Sequence, residues 1–382
     1  MTITLDDVEQ RAALIQRNLA EFLTHEELVG LLRAGTPLRH YIGFEISGKI
    51  HLGTGLMSMS KVRDFVDAGV HCTVFLADWH TWINDKLGGD RELIHRVATG
   101  YFTEGFRASM KCVGGDPSSL HFVLGSDLYT EQPDYWATVI DVSKNTTLAR
   151  MQRSISILGR AEGEQVDFAK LIYPAMQAAD IFALGVHIAH AGMDQRKAHV
   201  VARDVATHVR SNPLRDDSGR PLKPLAAHHP LLMGLKKPPV WPIPEGRERD
   251  AYASMKMSKS DPSSAVFVHD SPDEVRRKVM KAFCPPGESG FNPVLNWIEH
   301  IVFGMSGGAP LRIDRSEANG GPVTFESFAE LASAYESGAL HPMDAKAALA
   351  EQLIERLAPA REHFAQPEVA AMLAELESAL AA

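Results

Sequence analysis

With 382 residues, 45% of them apolar and 23% charged, the chain has the make-up of a globular protein of one large or two modest domains. A formal net charge of -9 argues against indiscriminate coating of nucleic acid, yet it leaves room for a local basic face on an acidic body. Three cysteines at wide spacing offer neither a disulfide framework nor a zinc cluster. With no signal-type apolar core near Met1 and no run of membrane-spanning length, a cytoplasmic location is expected.

In chain order, Asp6 to Arg33 reads as amphipathic helix, with "THEEL" (Thr24 to Leu28) as a helix start. "HYIGFEISGKIHLGTG" then passes from a short apolar strand through a Gly/Ser turn into a helix beginning near Leu52. "HCTVFLADWH" (His71 to His80) and "LHFVLGSD" (Leu120 to Asp127) are apolar runs ending in polar residues, the pattern of strands buried on both faces. Strands alternating with helices predict an α/β fold with a mostly parallel sheet. Ligands in such sheets bind at the carboxyl ends of strands, where Gly43, Glu45, Asp78, His80, Ser126 and Asp127 fall.

Ser211 to Ala253, rich in Pro, Gly, Arg and Asp, reads as an extended surface excursion. "SPDEVRRKVMKAF" has Ser271 as cap, Pro272 at the first helical position and Glu274 three residues after the cap. From Phe325 onward Ala, Leu and Glu at helical spacing predict a small helical C-terminal domain. The expected division is a catalytic domain over 1–305, with 211–253 as insertion and 254–305 as lysine loop and linking region, and a helical domain over 306–382.

Two stretches carry chemistry. "SGKIHLGTG" joins a strand to a helix N-terminus through a Gly-containing turn, a geometry whose free N–H groups and dipole accept phosphate. His51 falls in that turn, and Gly53 lets a nucleotide approach the backbone. "SMKMSKSDPSS" sets Lys256 and Lys259 among small residues before a chain-turning Pro, which suits a mobile loop closing on a polyphosphate. Each stretch alone is as readily a structural turn or a solvated loop. The remaining histidines, among them His187, His190, His228 and His229, show no metal-ligand spacing, so no structural metal is assigned, and His228-His229-Pro230 reads as a strand end before the lysine loop.

Together the two stretches resemble the paired signatures of class I aminoacyl-tRNA synthetases: "HLGT" is similar to His-x-Gly-His, with Thr54 in place of the second histidine, and "KMSKS" matches the lysine signature letter for letter. "LIYPAMQAADIFALGVHIAHAGMDQRKAH" narrows the resemblance to the archaeal and eukaryotic-type tyrosyl-tRNA synthetases. The resemblance implies a Rossmann-like catalytic domain that converts tyrosine and ATP to tyrosyl-adenylate and passes the tyrosyl group to tRNA. It implies Mg2+ on the pyrophosphate and a homodimer. By the same resemblance His51, Thr54, Lys256 and Lys259 are catalytic, and Gly53, Met257 and Ser258 join His51 and the two lysines around ATP.

Tyr173, Gln177 and Gln195 would hold the amino-acid end of tyrosine, while Asp180 and Tyr41 would hold the phenolic hydroxyl. Tyr173, Gln177 and Asp180 stand at i, i+4 and i+7, which places them on one helix face. Ala77 and His80 match the pocket wall, and Phe75 and Leu128 are exchanged in size relative to the family's pair. For tRNA, Arg150, Arg153, Arg196 and Lys197 correspond to the acceptor-stem face, and His341, Pro342 and Asp344 to the anticodon-contacting turn, with Asn319 where an aromatic often stacks. Two alternatives stay open: a paralogue activating tryptophan or a modified tyrosine, and a non-catalytic RNA-binding relative.

Overall fold

The computed structural model describes residues 7–159, 165–216, 218–247, 251–252, 255, 257, 262–317 and 320–381. Its centre is a six-stranded sheet: β1 (Glu21–Leu23), β2 (Arg39–Phe44), β3 (His71–Leu76), β4 (Leu120–Leu124), β5 (Ile188–Gly192) and β6 (Leu225–His229), in the order β1-β6-β5-β2-β3-β4. All neighbours are parallel except the edge pair β1 and β6. The chain runs outward from β2 through β3 to β4, then returns to place β5 on the other side of β2. The crevice between the ends of β2 and β5 is therefore the topological switch point, where such sheets bind ligands.

Residues alternate across the sheet. Ile42, Val74 and Leu76 enter one apolar core, and Tyr41 and Phe75 enter the other, which is closed by the helix Phe168–Ala183. The first core continues without a break into Leu331, Leu349 and Leu353 of the C-terminal helices. A two-stranded hairpin, β7 (Leu311–Ile313) and β8 (Val323–Phe325), leads into those helices, Phe328–Glu336, Pro342–Arg356, Ala358–Phe364 and Pro367–Ala381.

The predicted caps are present. Thr24 Oγ1 accepts from Glu27 N at 3.3 Å, and Ser271 Oγ accepts from Glu274 N at 3.2 Å. Two expectations are corrected. The stretch expected to be one N-terminal helix is two helices, Val8–Gln16 and His25–Arg33, separated by β1. A strand of three residues is too short for periodicity to show, and only its pairing with β6 defines it. The excursion expected at Ser211 to Ala253 is not all surface, because it contains β6, whose five residues are all buried between β1 and β5. The strand end expected at His228 and His229 is borne out, while the Pro- and Gly-rich flanks hid the body of a strand that tertiary burial holds.

Candidate active site

The crevice at the switch point opens into a cavity of about 670 Å³. One wall comes from the turn after β2. His51 Nδ1 accepts from the backbone N–H groups of Gly53 at 3.1 Å and Thr54 at 3.2 Å. That leaves the ring proton of neutral His51 on Nε2, where Thr54 Oγ1 stands 3.2 Å away. Thr54 thus holds the imidazole that the phosphates would meet. A Cβ on Gly53 would lie 3.1 Å from the His51 ring, so a side chain there would press the imidazole out of place. We expect Thr54→Val, which keeps shape and removes the hydroxyl, to slow adenylate formation about three- to tenfold while leaving the tyrosine KM unchanged. Single-turnover kinetics checks this.

The opposite wall is the helix Phe168–Ala183, capped by Asp167, whose side chain accepts from Lys170 N at 3.1 Å. Its inward face carries Tyr173, Gln177 and Asp180 into the cavity together with Tyr41 from β2 and Gln195 from the turn after β5. Gln177 Nε2 donates to Gln195 Oε1 at 3.3 Å, and Gln195 Nε2 donates to Ile157 O at 3.1 Å. Gln177 Oε1 is buried with no hydrogen-bond partner among the described residues, an unmet acceptor in the cavity wall.

Asp180 lies at the floor and is 1% exposed. Burial pushes its carboxyl up to about 8, against hydrogen bonds from tyrosine hydroxyls that act the other way. Tyr135 Oη donates to Asp180 Oδ1 at 2.9 Å. The Tyr135 ring stacks on Tyr129 with centroids 4.0 Å apart. His80 Nε2 stands 3.6 Å from Asp180 Oδ2, and burial drives that imidazole down to about 3, so it is neutral. Phe75 meets Tyr41 edge-on at 6.3 Å and lines the cavity, while Leu128 is buried behind it.

Sequence reasoning did not find Tyr129 and Tyr135. They lie six apart across a Gln-Pro-Asp turn in two different helices, Gly125–Glu131 and Tyr135–Lys144, so no single period links them. It also passed over Asp194 and His229, which line the cavity. Of the residues expected at strand ends, Asp78 is structural: its Oδ1 accepts from Trp79 N at 2.9 Å and Ser126 N at 3.0 Å. Asp127 is exposed outside the cavity. In the lysine loop, Met257 is buried and lines the cavity, whereas Lys256, Ser258 and Lys259 lie outside the described residues, as does Asn319.

The basic residues are engaged within the chain. Arg150 pairs with Asp204 at 2.5 Å, Arg196 with Glu21 at 2.8 Å, and Lys197 donates to Arg153 O at 2.6 Å. His341 caps the helix Pro342–Arg356, its Nδ1 accepting from Met343 N at 3.2 Å, with Pro342 and Asp344 in the first turn.

A mostly parallel sheet with a cavity at its switch point, lined by the His51 turn and the buried Asp180, has the architecture of an α/β enzyme. The model of the class I tRNA synthetases for tryptophan and tyrosine matches residues 33–358, and the chain belongs to that family. Within it, the chain is 57% identical over 361 residues to the tyrosine–tRNA ligase of Thermococcus sibiricus, covering 94% of this chain and 95% of that protein. It is 55% identical to the tyrosine–tRNA ligase of Pyrococcus abyssi over 94% of this chain and 95% of that one. The crystal structure of the Pyrococcus horikoshii tyrosyl-tRNA synthetase complexed with L-tyrosine superposes with a TM-score of 0.93 at 53% identity, covering 97% and 100% of the two chains. A tryptophanyl-tRNA synthetase from Aeropyrum pernix shares the fold alone, at a TM-score of 0.66 and 17% identity.

Proposed function

We propose that this chain activates tyrosine with ATP and ligates it to tRNA, and that the residues gathered above are its working parts. The observation that carries the amino-acid choice is Asp180. A buried carboxylate is costly unless donors meet it. Tyr135 supplies one, and the phenolic hydroxyl of a bound tyrosine supplies another, with Tyr41 beside it. Gln177 Oε1, Gln195 and Tyr173 take the ammonium end.

The tyrosine carboxylate, already ionised, attacks the α-phosphorus of ATP. The new carboxylate–phosphate bond gives tyrosyl-adenylate as the bond to pyrophosphate breaks. No general base is needed, so catalysis is positioning and charge stabilisation. His51 and Thr54, joined through His51 Nε2, meet the phosphates together, and Lys256 and Lys259 close over them and release pyrophosphate. Gly53, Met257 and Ser258 complete the nucleotide site. Mg2+ would enter with the pyrophosphate of ATP, as part of the MgATP substrate. A ribose hydroxyl at the end of tRNA then attacks the adenylate carbonyl and expels AMP.

The tRNA would lie across Arg150, Arg153, Arg196 and Lys197 and reach His341, Pro342 and Asp344, with 1–305 as catalytic and 306–382 as anticodon-binding domain. We further read the chain as a homodimer. On the helix Tyr135–Lys144, Trp136 and Ile140 stand one turn apart at 44% and 57% exposure, an apolar face next to exposed Leu148. Ile140→Glu should yield a monomer by light scattering. No helix among the described residues is long and apolar enough to cross a membrane, which accords with work in the cytoplasm.

Amino-acid-dependent ATP–pyrophosphate exchange across the twenty amino acids tests the reading. Exchange is expected with tyrosine at least ~10³-fold more efficiently than with phenylalanine. A preference for tryptophan, or no exchange at all, would overturn it.

A further inference from the structure

Five buried histidines cross the sheet in two hydrogen-bonded files, and the activation chemistry described so far uses none of them. On one face, His40 Nε2 lies 3.1 Å from His190 Nδ1, and His190 Nε2 lies 2.8 Å from His229 Nδ1. The adjacent strands β2, β5 and β6 set this spacing, and the file ends at the cavity wall, where His229 emerges. On the other face, His199 Nδ1 lies 3.0 Å from His228 Nε2, and His228 Nδ1 lies 2.9 Å from Glu21 Oε2.

Burial depresses the proton affinity of all five rings, to about 3 at His40 and about 4 at His229. Each neutral ring carries one N–H, so each file runs in a single direction. The second file shows which. The Glu21 carboxylate can only accept, so His228 donates from Nδ1. His228 Nε2 must then accept from His199 Nδ1–H. That leaves the lone pair on His199 Nε2, a buried nitrogen with no partner among the described residues.

The first file has the same kind of end. His40 Nδ1 is buried and unpartnered. Were the file reversed, that nitrogen would carry an orphaned buried N–H, a rarer and costlier state than an orphaned lone pair. The file therefore runs from His40 Nε2–H to His190 and from His190 Nε2–H to His229 Nδ1. The remaining proton of His229 sits on Nε2.

That nitrogen lies close over Gly192: a Cβ built there would come 3.4 Å from His229 Nε2, 2.8 Å from Asp194 Oδ1 and 2.8 Å from Leu231 Cδ2, so a glycine stands where these side chains converge at the switch point. Gly192, Asp194 and His229 all line the cavity.

Resting on the proposed function, we propose that His40 and His190 lock His229 in its Nε2–H tautomer, making His229 a nucleotide-positioning donor over Gly192. His229 donates to an acceptor oxygen of ATP, while His40 and His190 act only through it. The two file members are positioning residues in the core, and their conservative loss should be felt at the nucleotide and not at tyrosine.

The test combines exchange kinetics with NMR. In the wild-type protein, long-range 15N–1H correlation should show His229 protonated at Nε2. His229→Ala should raise the KM for ATP about five- to tenfold, the worth of one hydrogen bond, with the tyrosine KM within twofold. His229→Gln, which keeps a side-chain N–H donor, should recover most of that loss. In His190→Phe the His229 tautomer should become mixed and the ATP KM should rise in part. If His229 is found protonated at Nδ1, or if His229→Ala leaves the ATP KM unchanged, the proposal falls. The wild-type spectrum decides even where a core variant misfolds. Absence of tyrosine-dependent exchange in the wild type would instead strike the parent reading, so the two failures are told apart.

Discussion

Asp180→Asn is expected to make the ligand-free protein more stable and to abolish its selectivity for tyrosine. The carboxyl is held at about 8 by burial, far above the ordinary value of 3.8. Between about pH 4 and pH 8 the unfolded chain has released this proton while the folded chain keeps it. Folded protein binds more protons there, so stability falls as pH rises, by up to about 1.4 kcal/mol per unit. The contribution is fully present below pH 4 and lost as pH passes 8. Asn cannot ionise and removes the slope. Thermal melts at pH 5 and pH 8.5 should thus show the variant gaining on the wild type at the higher pH. A gap that does not widen would mean that Asp180 is solvated or charge-paired when empty.

The same substitution should lower kcat/KM for tyrosine by ~10³ or more, because an amide offers one weak acceptor where Tyr135 and the substrate both seek one. Phenylalanine should gain little, so the ratio between the two collapses from the tyrosine side. Unaltered discrimination would remove Asp180 from substrate recognition. The site keeps a destabilising group because its substrate relieves it.

Lys259→Ala should reduce the rate of adenylate formation by roughly 10²–10³ with little change in tyrosine affinity. Its charge matters as negative charge builds on the departing pyrophosphate, and much less in the ground state. Rapid-quench measurement at saturating ATP and tyrosine separates rate from binding. An unchanged rate would take the loop out of the chemistry, and a loss confined to the ATP KM would make the lysine a binding group only.

What could be read from the sequence was whatever is written locally. Strands buried on both faces, such as β3, announce themselves as apolar runs, and the caps at Thr24 and Ser271 follow from two or three residues. The face shared by Tyr173, Gln177 and Asp180 follows from helical period alone. What stayed hidden depends on partners distant in the chain. β1 and β6 exist because they pair with each other across two hundred residues. Tyr135 reaches Asp180 from another helix, and His40, His190 and His229 meet only once three strands are side by side. The histidines carried no ligand spacing because their partners are one another.

The last helix, Pro367–Ala381, reaches back to the centre of the molecule. Leu380 forms part of the cavity wall, Glu377 pairs with Lys49 at 2.8 Å two residues before His51, and Glu375 pairs with Arg96 at 2.8 Å. His363 of the preceding helix holds Glu104 at 2.7 Å. For anyone handling the protein, changes to this helix are thus changes to the cavity wall, through Leu380 and the Lys49–Glu377 pair. Grafting the helical unit from another ligase would likewise exchange a piece of the catalytic wall along with it, so hybrid enzymes need their junction drawn to keep Lys49 and Glu377 from the same parent.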